Sequence, residues 1–170
     1  MFISGSIIMP YLIDGYNLLR AIQRFEEFAM FDEVAMCRTV AEFLRVVQSR
    51  GHVVFDGIGP PDKRELGNIR GVEVYFSGEN LEADDIIEDK IADNTAPKSL
   101  VVVSSDRRLM NAAKRRKATP VQAEPFWAFL IDQLEKAEKR PAPEPREKRS
   151  GITDQEADLW MDAFGMDEET

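Results

Sequence analysis

Among 170 residues the chain has one cysteine, Cys37, and one histidine, His52. A lone thiol excludes an intrachain disulfide framework and a cysteine-rich zinc site, and it suits a reducing compartment. A lone imidazole argues against a histidine-ligated zinc centre, so His52 reads as a polar residue where a strand begins. Long apolar runs are missing too. The stretch Ile7 to Ile13 is short, is broken by Pro10 and has no Lys or Arg before it, so it reads neither as a membrane span nor as a secretory signal. The expectation is a cytoplasmic protein with no membrane partner, for which Met9 is a candidate start that leaves Met1 to Ile8 as an optional extension. No internal repeat is found.

What is present suffices for one ordinary domain with its own core and a modest appendage: 44% of residues are hydrophobic. The net charge of −9 is unevenly spread. Residues 1–138 carry 17 basic and 22 acidic side chains, residues 139–150 carry 5 and 2, and residues 151–170 carry 7 acids and no base. Much of the acidity is therefore local to a tail, and an acidic chain of this kind can still bind a polyanion through clustered bases.

Hydrophobic patterning divides the chain into alternating strands and helices. A short strand ends at Ile13, and a loop rich in Phe and Glu follows. Asp32 to Arg50 reads as a helix capped by Asp32, with Gly51 as its C′ residue and Phe31, Val34, Cys37, Val40, Ala41, Leu44 and Val47 in one stripe. Strands are expected at Val53 to Phe55, Val72 to Phe76, Ser99 to Ser104 and, at an edge, Pro120 to Gln122. Helices are expected at Glu82 to Asp93, Asp106 to Lys117 and Glu124 to Glu138. The alternation predicts an α/β fold, a three-layer α/β/α sandwich with a mainly parallel sheet of about five strands. Residues 9–138 form this domain. Residues 139–150 form a charged, Pro-rich linker, and residues 151–170 an acidic tail. In that tail Thr153 to Glu156 looks like a capping box, and the Trp160 and Phe164 face of a short helix would dock on a protein partner or on the parent domain.

Four acidic signatures stand where apolar strands give way to loops or helices: Asp14, Asp56, the Glu82-Ala83-Asp84-Asp85 run, and Asp106. Carboxylates at the carboxyl ends of parallel strands converge in the crevice above the sheet, where such folds hold ligands. Converging carboxylates repel, and oxygen-only donors suit Mg²⁺ or Mn²⁺ as the neutralising ion; the usual substrate of such a site is a phosphate ester. Asp84 and Asp85 are separated by about 100° around a helix, so they cannot fill one ligand position. Asn17 can donate to a phosphate oxygen or accept from water, while Ser104 and Ser105 offer hydroxyl and N–H groups. Taken singly, Asp14-Gly15 is more often a turn than a metal ligand, Glu82 and Asp84 also read as acids complementing a helix dipole, and Asp106 as an N-cap. For a nucleic-acid partner the chain offers Lys63 and Arg64, Arg70, Arg107 and Arg108, and the run Lys114, Arg115, Arg116, Lys117. Arg107 and Arg108 adjoin Asp106, where a phosphate would lie. Such contacts bind without sequence preference and are salt-sensitive.

The segments Leu12-Ile13-Asp14-Gly15-Tyr16-Asn17-Leu18, Val53-Val54-Phe55-Asp56-Gly57, Arg70-Gly71-Val72-Glu73-Val74-Tyr75-Phe76, Glu82-Ala83-Asp84-Asp85-Ile86-Ile87-Glu88 and Val102-Val103-Ser104-Ser105-Asp106-Arg107, in this order, resemble the NYN domain, most closely its bacterial YacP-like branch within the PIN-like nuclease fold. The resemblance covers about Tyr11 to Leu134. It implies an Mg²⁺- or Mn²⁺-dependent endoribonuclease in RNA processing or decay that prefers single strands, with RNA, single-stranded or structured, as its partner. Asp14, Asp84 and Asp106 would be the core metal ligands, Glu82 and Asp85 would lie beside them, and Asn17 and Asp56 would support substrate or metal-bound water. Many NYN sequences have a small polar residue at the position of Asp85. Glu-Ala-Asp-Asp and Ser-Ser-Asp-Arg-Arg-Leu-Met also look like the 5′-nuclease domain of bacterial DNA polymerase I, but this chain is too short for that enzyme's helical clamp. The alternatives are a non-catalytic RNA-binding or scaffold module on the same fold and a 5′-nuclease-like DNase. A phosphoacceptor receiver domain is disfavoured by Asp106-Arg107 where a Lys is needed. A monomer or a homodimer is expected.

Overall fold

The computed structural model describes residues 10–142. The chain divides into two units between Lys139 and Arg140. Most of the expected linker and the whole acidic tail, with its capping box and its Trp160 and Phe164 face, lie outside the described residues, as does the stretch before Pro10.

Five strands, β1 (Tyr11–Asp14), β2 (Gly51–Phe55), β3 (Val72–Phe76), β4 (Val101–Val103) and β5 (Thr119–Val121), form one all-parallel sheet in the order β3-β2-β1-β4-β5. Its helices are α1 (Gly15–Gln23), α2 (Glu33–Val46), α3 (Arg64–Gly67), α4 (Ala83–Asp93), α5 (Arg107–Arg115) and α6 (Ala123–Glu138). Both faces of the central strands are covered, which is why these strands read as unbroken apolar runs. Ile13, Val53, Phe55 and Val103 point into a core with α1, α2 and α6, whereas Leu12, Val54 and Val102 point into a second core with α4 and α5. Pro120 sits on edge strand β5, where a missing N–H costs least.

Three expectations are corrected. The segment after β1 is a helix, α1, and only Glu26–Phe28 of the Phe- and Glu-rich stretch is a tight turn. Leu18, Leu19, Ala21 and Ile22 are buried at helical spacing while Arg20 and Gln23 face out. The helix capped by Asp32, whose carboxylate accepts from the Ala35 N–H at 2.8 Å, stops at Val46; Gln48 takes positive φ, and Gly51 is the first residue of β2. A side chain on Gly51 would meet Leu44 at 3.0 Å and the Tyr11 carbonyl at 3.2 Å, so glycine is needed there for close approach of strands and not for a helix stop. Finally, β4, Val101–Val103, is shorter than Ser99 to Ser104: Pro97–Ser99 is a 3₁₀ turn, and Ser104, whose N–H still donates to the Val121 carbonyl at 3.0 Å, gives its hydroxyl to the site.

The lone residues find structural places. Cys37 is fully buried on α2, and burial pushes its thiol up to about 12, which makes it inert. His52, half-buried on β2, lies 3.2 Å from Lys90 and 3.4 Å from Glu73; burial, then the Lys90 charge, lowers its pKa.

Gly15 opens α1 directly after Asp14, and a Cβ there would stand 2.4 Å from the ring of Phe55. Phe55 is fully buried, stacked on Phe76 and against Tyr16, so it has nowhere to go. Gly15→Ala is therefore expected to destabilise the protein by about 2 kcal/mol through overpacking. A denaturant midpoint unchanged from wild type would contradict this, and Phe55→Leu should restore part of the loss.

Candidate metal centre

Strand β1 lies between β2, which precedes β3, and β4, which precedes β5. The chain thus turns opposite ways on its two sides, and a crevice opens at the carboxyl end of β1. Asp14 ends that strand. Asp56 follows β2, Glu82 and Asp84 stand at the start of α4, and Asp106 follows β4. These five carboxylates line one cavity of about 210 Å³, together with Tyr16, Asn17, Arg20 and Ala83.

Ser104, 1% exposed, joins two of the acids. Its hydroxyl donates to Asp14 Oδ2 at 2.9 Å and accepts from the Asp106 N–H at 3.0 Å. Asp106 caps α5, its Oδ1 accepting from the N–H groups of Arg108 (2.8 Å) and Leu109 (3.4 Å). Asn17, on the first turn of α1, accepts from the Ser105 N–H at 2.8 Å, and Ser105 Oγ accepts from the Ala123 N–H at 3.1 Å. Asp56 Oδ1 accepts from the Ala83 N–H at 3.0 Å and from Ser77 Oγ at 3.2 Å, which fixes the start of α4 to the end of β2.

The acids feel each other. Burial pushes the Asp14 carboxyl up to about 6; Asp84 and Asp106 push it the same way, and the Ser104 hydroxyl and the Asn17 backbone oppose them. Asp84 is also raised, by burial first and then by Asp106, with Arg108 opposing. Five carboxylates line the cavity with one guanidinium, Arg20, while Arg108 Nη1 approaches from outside the lining to 3.9 Å from Glu82 and 4.0 Å from Asp84; the excess of negative charge favours a cation. Among the described residues no three His, Cys, Asp or Glu side chains stand close enough to clasp one ion together. The donor set is hard oxygen throughout. It fits an ion such as Mg²⁺, which keeps several waters and takes one or two carboxylates directly.

Asp84 and Asp85 part ways. Asp84 lines the cavity, whereas Asp85 accepts from the Glu82 N–H at 3.1 Å and from Arg108 at 2.9 Å, outside the cavity lining. Arg108 also holds Glu88 through two bonds of 2.8 and 3.1 Å, and those carboxylates, Glu88 first, raise its pKa. Its guanidinium binds α4 to α5, while Arg107 beside it is exposed. Arg64 is paired with Asp62 at 2.8 Å, and Lys63 lies 5.3 Å over the Phe76 ring. Lys114 and Arg115 are exposed in the last turn of α5, about 12 Å along the helix from Asp106. Sequence reasoning did not single out Arg20 or Tyr16 as site residues. Tyr16 donates to Glu33 at 2.9 Å beside the acids. The i, i+4 spacing of Tyr16 and Arg20 would have shown both on one face had α1 been read as a helix.

The family model of the YacP-like NYN domain matches residues 11–162, past Leu134 and across the charged linker into the tail. Among solved structures the chain is similar to the crystal structure of Rae1 (YacP) from Bacillus subtilis, with 23% identity over 78% of this chain and 79% of that one and a TM-score of 0.62. A tryptophan-to-leucine variant of the same protein gives 24% identity, 78% and 80% coverage and a TM-score of 0.61. At this identity the likeness shows the fold. No curated protein matches. No described helix is long and apolar enough to cross a membrane.

Proposed function

The chain belongs to the YacP-like NYN domain family, whose fold is of the ribonuclease type, and from that premise we propose that it is an Mg²⁺- or Mn²⁺-dependent endoribonuclease. The observation that carries this reading is the cavity at the end of β1, where Asp14, Asp84 and Asp106 meet from three separate elements. One or two of these three would hold the ion directly and the rest through its waters, with Glu82 and Asp56 also lining the cavity. A bound divalent ion supplies Lewis acidity toward the phosphate and a more acidic attacking water.

The chain's own groups do the positioning. Ser104 fixes Oδ2 of Asp14 at the cavity. Asp106 spends one oxygen on the α5 N-terminus and keeps its second free of protein partners among the described residues. Asn17 uses its amide oxygen on Ser105, so its NH₂ group remains to donate to a phosphate oxygen. Arg20 offers the one positive side chain of the cavity to the polyanion. Arg108 is a positioning residue, since its guanidinium is taken up by α4 carboxylates.

A circular single-stranded RNA is the discriminating substrate. With Mn²⁺ the purified protein is expected to open the circle, in a reaction that weakens as salt rises because phosphate contacts dominate affinity. Cutting of linear RNA alone would mean exonuclease action. Circle and linear RNA both left intact would remove the nuclease reading.

A further inference from the structure

Outside the lining of the acidic cavity, four titratable side chains from three elements stand together: His52 on β2, Glu73 and Tyr75 on β3, and Lys90 on α4. Register and strand alternation bring them there. His52 lies opposite Glu73 in the parallel ladder, and Tyr75, two residues further along β3, points to the same face as Glu73. Helix α4 packs on that face, and beside edge strand β3 its Lys90 reaches both the imidazole and the phenol ring.

Lys90 Nζ is 3.2 Å from His52 Nδ1 and 3.8 Å from the centroid of the Tyr75 ring. An ammonium only donates, so Nδ1 accepts, and the proton of the neutral imidazole sits on Nε2, 3.4 Å from Glu73 Oε2. The Tyr75 hydroxyl donates to that same oxygen at 2.5 Å and holds the carboxylate in place. Among the described residues Lys90 makes no ion pair, because Glu73 is taken up by His52 and Tyr75. A plain tether for α4 would set a carboxylate against this lysine; here a neutral base stands there instead. Amine, base in reach of it and carboxylate orienting the base are the parts by which proteins activate a nucleophile. Burial, then the Lys90 charge, keeps His52 unprotonated and able to accept. Burial also lowers the Lys90 pKa, with Glu73 opposing, while the Tyr75 ring favours the ammonium. Arg50 is the other cation near Glu73. Lys90 and His52 are half-buried, so an electrophile must be small to reach Nζ.

We propose that Lys90 is an acylation site, modified by small acyl phosphates with His52 as the base. The amine, its proton lost to water, attacks the acyl carbon and an N–C bond forms. The nitrogen of the adduct gives a proton to His52 Nδ1, and the C–O bond to phosphate breaks, its electron pair leaving with inorganic phosphate. An amide remains, and His52 returns its proton to water. The amide is uncharged, so α4 loses its cation on Tyr75. None of this depends on the ribonuclease reading.

The full chain is incubated with acetyl phosphate, and initial acetylation at each lysine is followed by peptide mass spectrometry. Lys90 is expected to react about tenfold faster than the exposed Lys98 and Lys114, a fraction of what a placed general base contributes. The readout is the ratio of Lys90 to Lys98 in the same molecules, which cancels overall reactivity. In His52→Asn, whose amide oxygen accepts a hydrogen bond but takes no proton, the ratio should fall to about one. Across a pH series the wild-type ratio should drop as His52 protonates, seen in the NMR signal of the chain's one histidine. The site is overturned if Lys90 reacts no faster than Lys98, or if His52→Asn leaves the ratio unchanged. Should that variant melt early, Glu73→Gln at an exposed position decides in its place: an unchanged ratio there overturns the site, and a lowered one upholds it.

Discussion

Asp14→Asn protein is expected to bind RNA and to cut it about a thousandfold more slowly than wild type, the equivalent of about 4 kcal/mol of metal-derived transition-state stabilisation. Asp14 ends the strand beside the switch point, receives the Ser104 hydroxyl on one oxygen and faces Asp84 and Asp106 with its charge. Asparagine keeps the shape and can still accept from Ser104 through its amide oxygen, so the loss falls on charge and not on packing. Asp106→Asn tests the other wall under equally mild conditions, since asparagine caps a helix as well as aspartate does. The assay is cleavage of end-labelled RNA in Mn²⁺ alongside a thermal melt. Either variant cutting within tenfold of the wild-type rate would take that carboxylate out of the chemistry.

The second large effect is on stability, and it depends on pH. The Asp14 carboxyl is pushed from 3.8 to about 6 in the folded protein, by burial first and by its acidic neighbours next. The folded state therefore holds this proton more tightly than the unfolded chain does. In metal-free protein the contribution is fully present below about pH 4 and is lost as pH rises toward 6, on the order of 3 kcal/mol in all. Exposed acids paired with arginine, such as Asp62 and Asp85, are shifted downward and act in the opposite sense. The quantity to measure is accordingly the difference between wild type and Asp14→Asn: the variant should gain on the wild type across that interval. A divalent ion reverses the penalty by taking the proton's place. Above pH 6, Mn²⁺ at a hundred times its Kd should raise the melting temperature of the wild type by about 10 °C. The rise should shrink near pH 5 and nearly vanish in Asp14→Asn. A melting temperature indifferent to Mn²⁺ at pH 7.5 would argue that the cavity does not hold a metal.

Strand β3 was legible residue for residue in Val72 to Phe76, because its β-branched and aromatic residues suit the half-buried, pleated surface of an edge strand. The cap at Asp32 was equally plain. Helix α1 was hidden, since its core face is only Leu18, Leu19, Ala21 and Ile22 and it begins at Asp14-Gly15, a pair that locally reads as a turn. Missing α1 meant missing Arg20. The acids at strand ends could be named from spacing, but which of two adjacent ones faces the cavity is a matter of helix phase. That phase sends Asp84 inward and Asp85 to Arg108. Arg108 beside Asp106 looked available to a phosphate because the competing carboxylate of Glu88 lies 20 residues away in sequence. The double role of the Ser104 hydroxyl was out of reach for the same reason, as its acceptor is Asp14, 90 residues earlier.

That last separation bears on how the protein is born. Asp14 sits on the first of the described strands to be made, and β1 can pair with β2 early, but its other neighbour, β4, arrives with Ser104 and Asp106 only after α3, β3 and α4 have been synthesised. At roughly 5–20 residues per second, about 5–20 s of translation lie between the two halves of the acidic wall. A nascent chain held on its own message thus carries Asp14 without Asp106 throughout that interval. On the ribonuclease reading, it is harmless to the transcript that encodes it until β4 and α5 close the sheet.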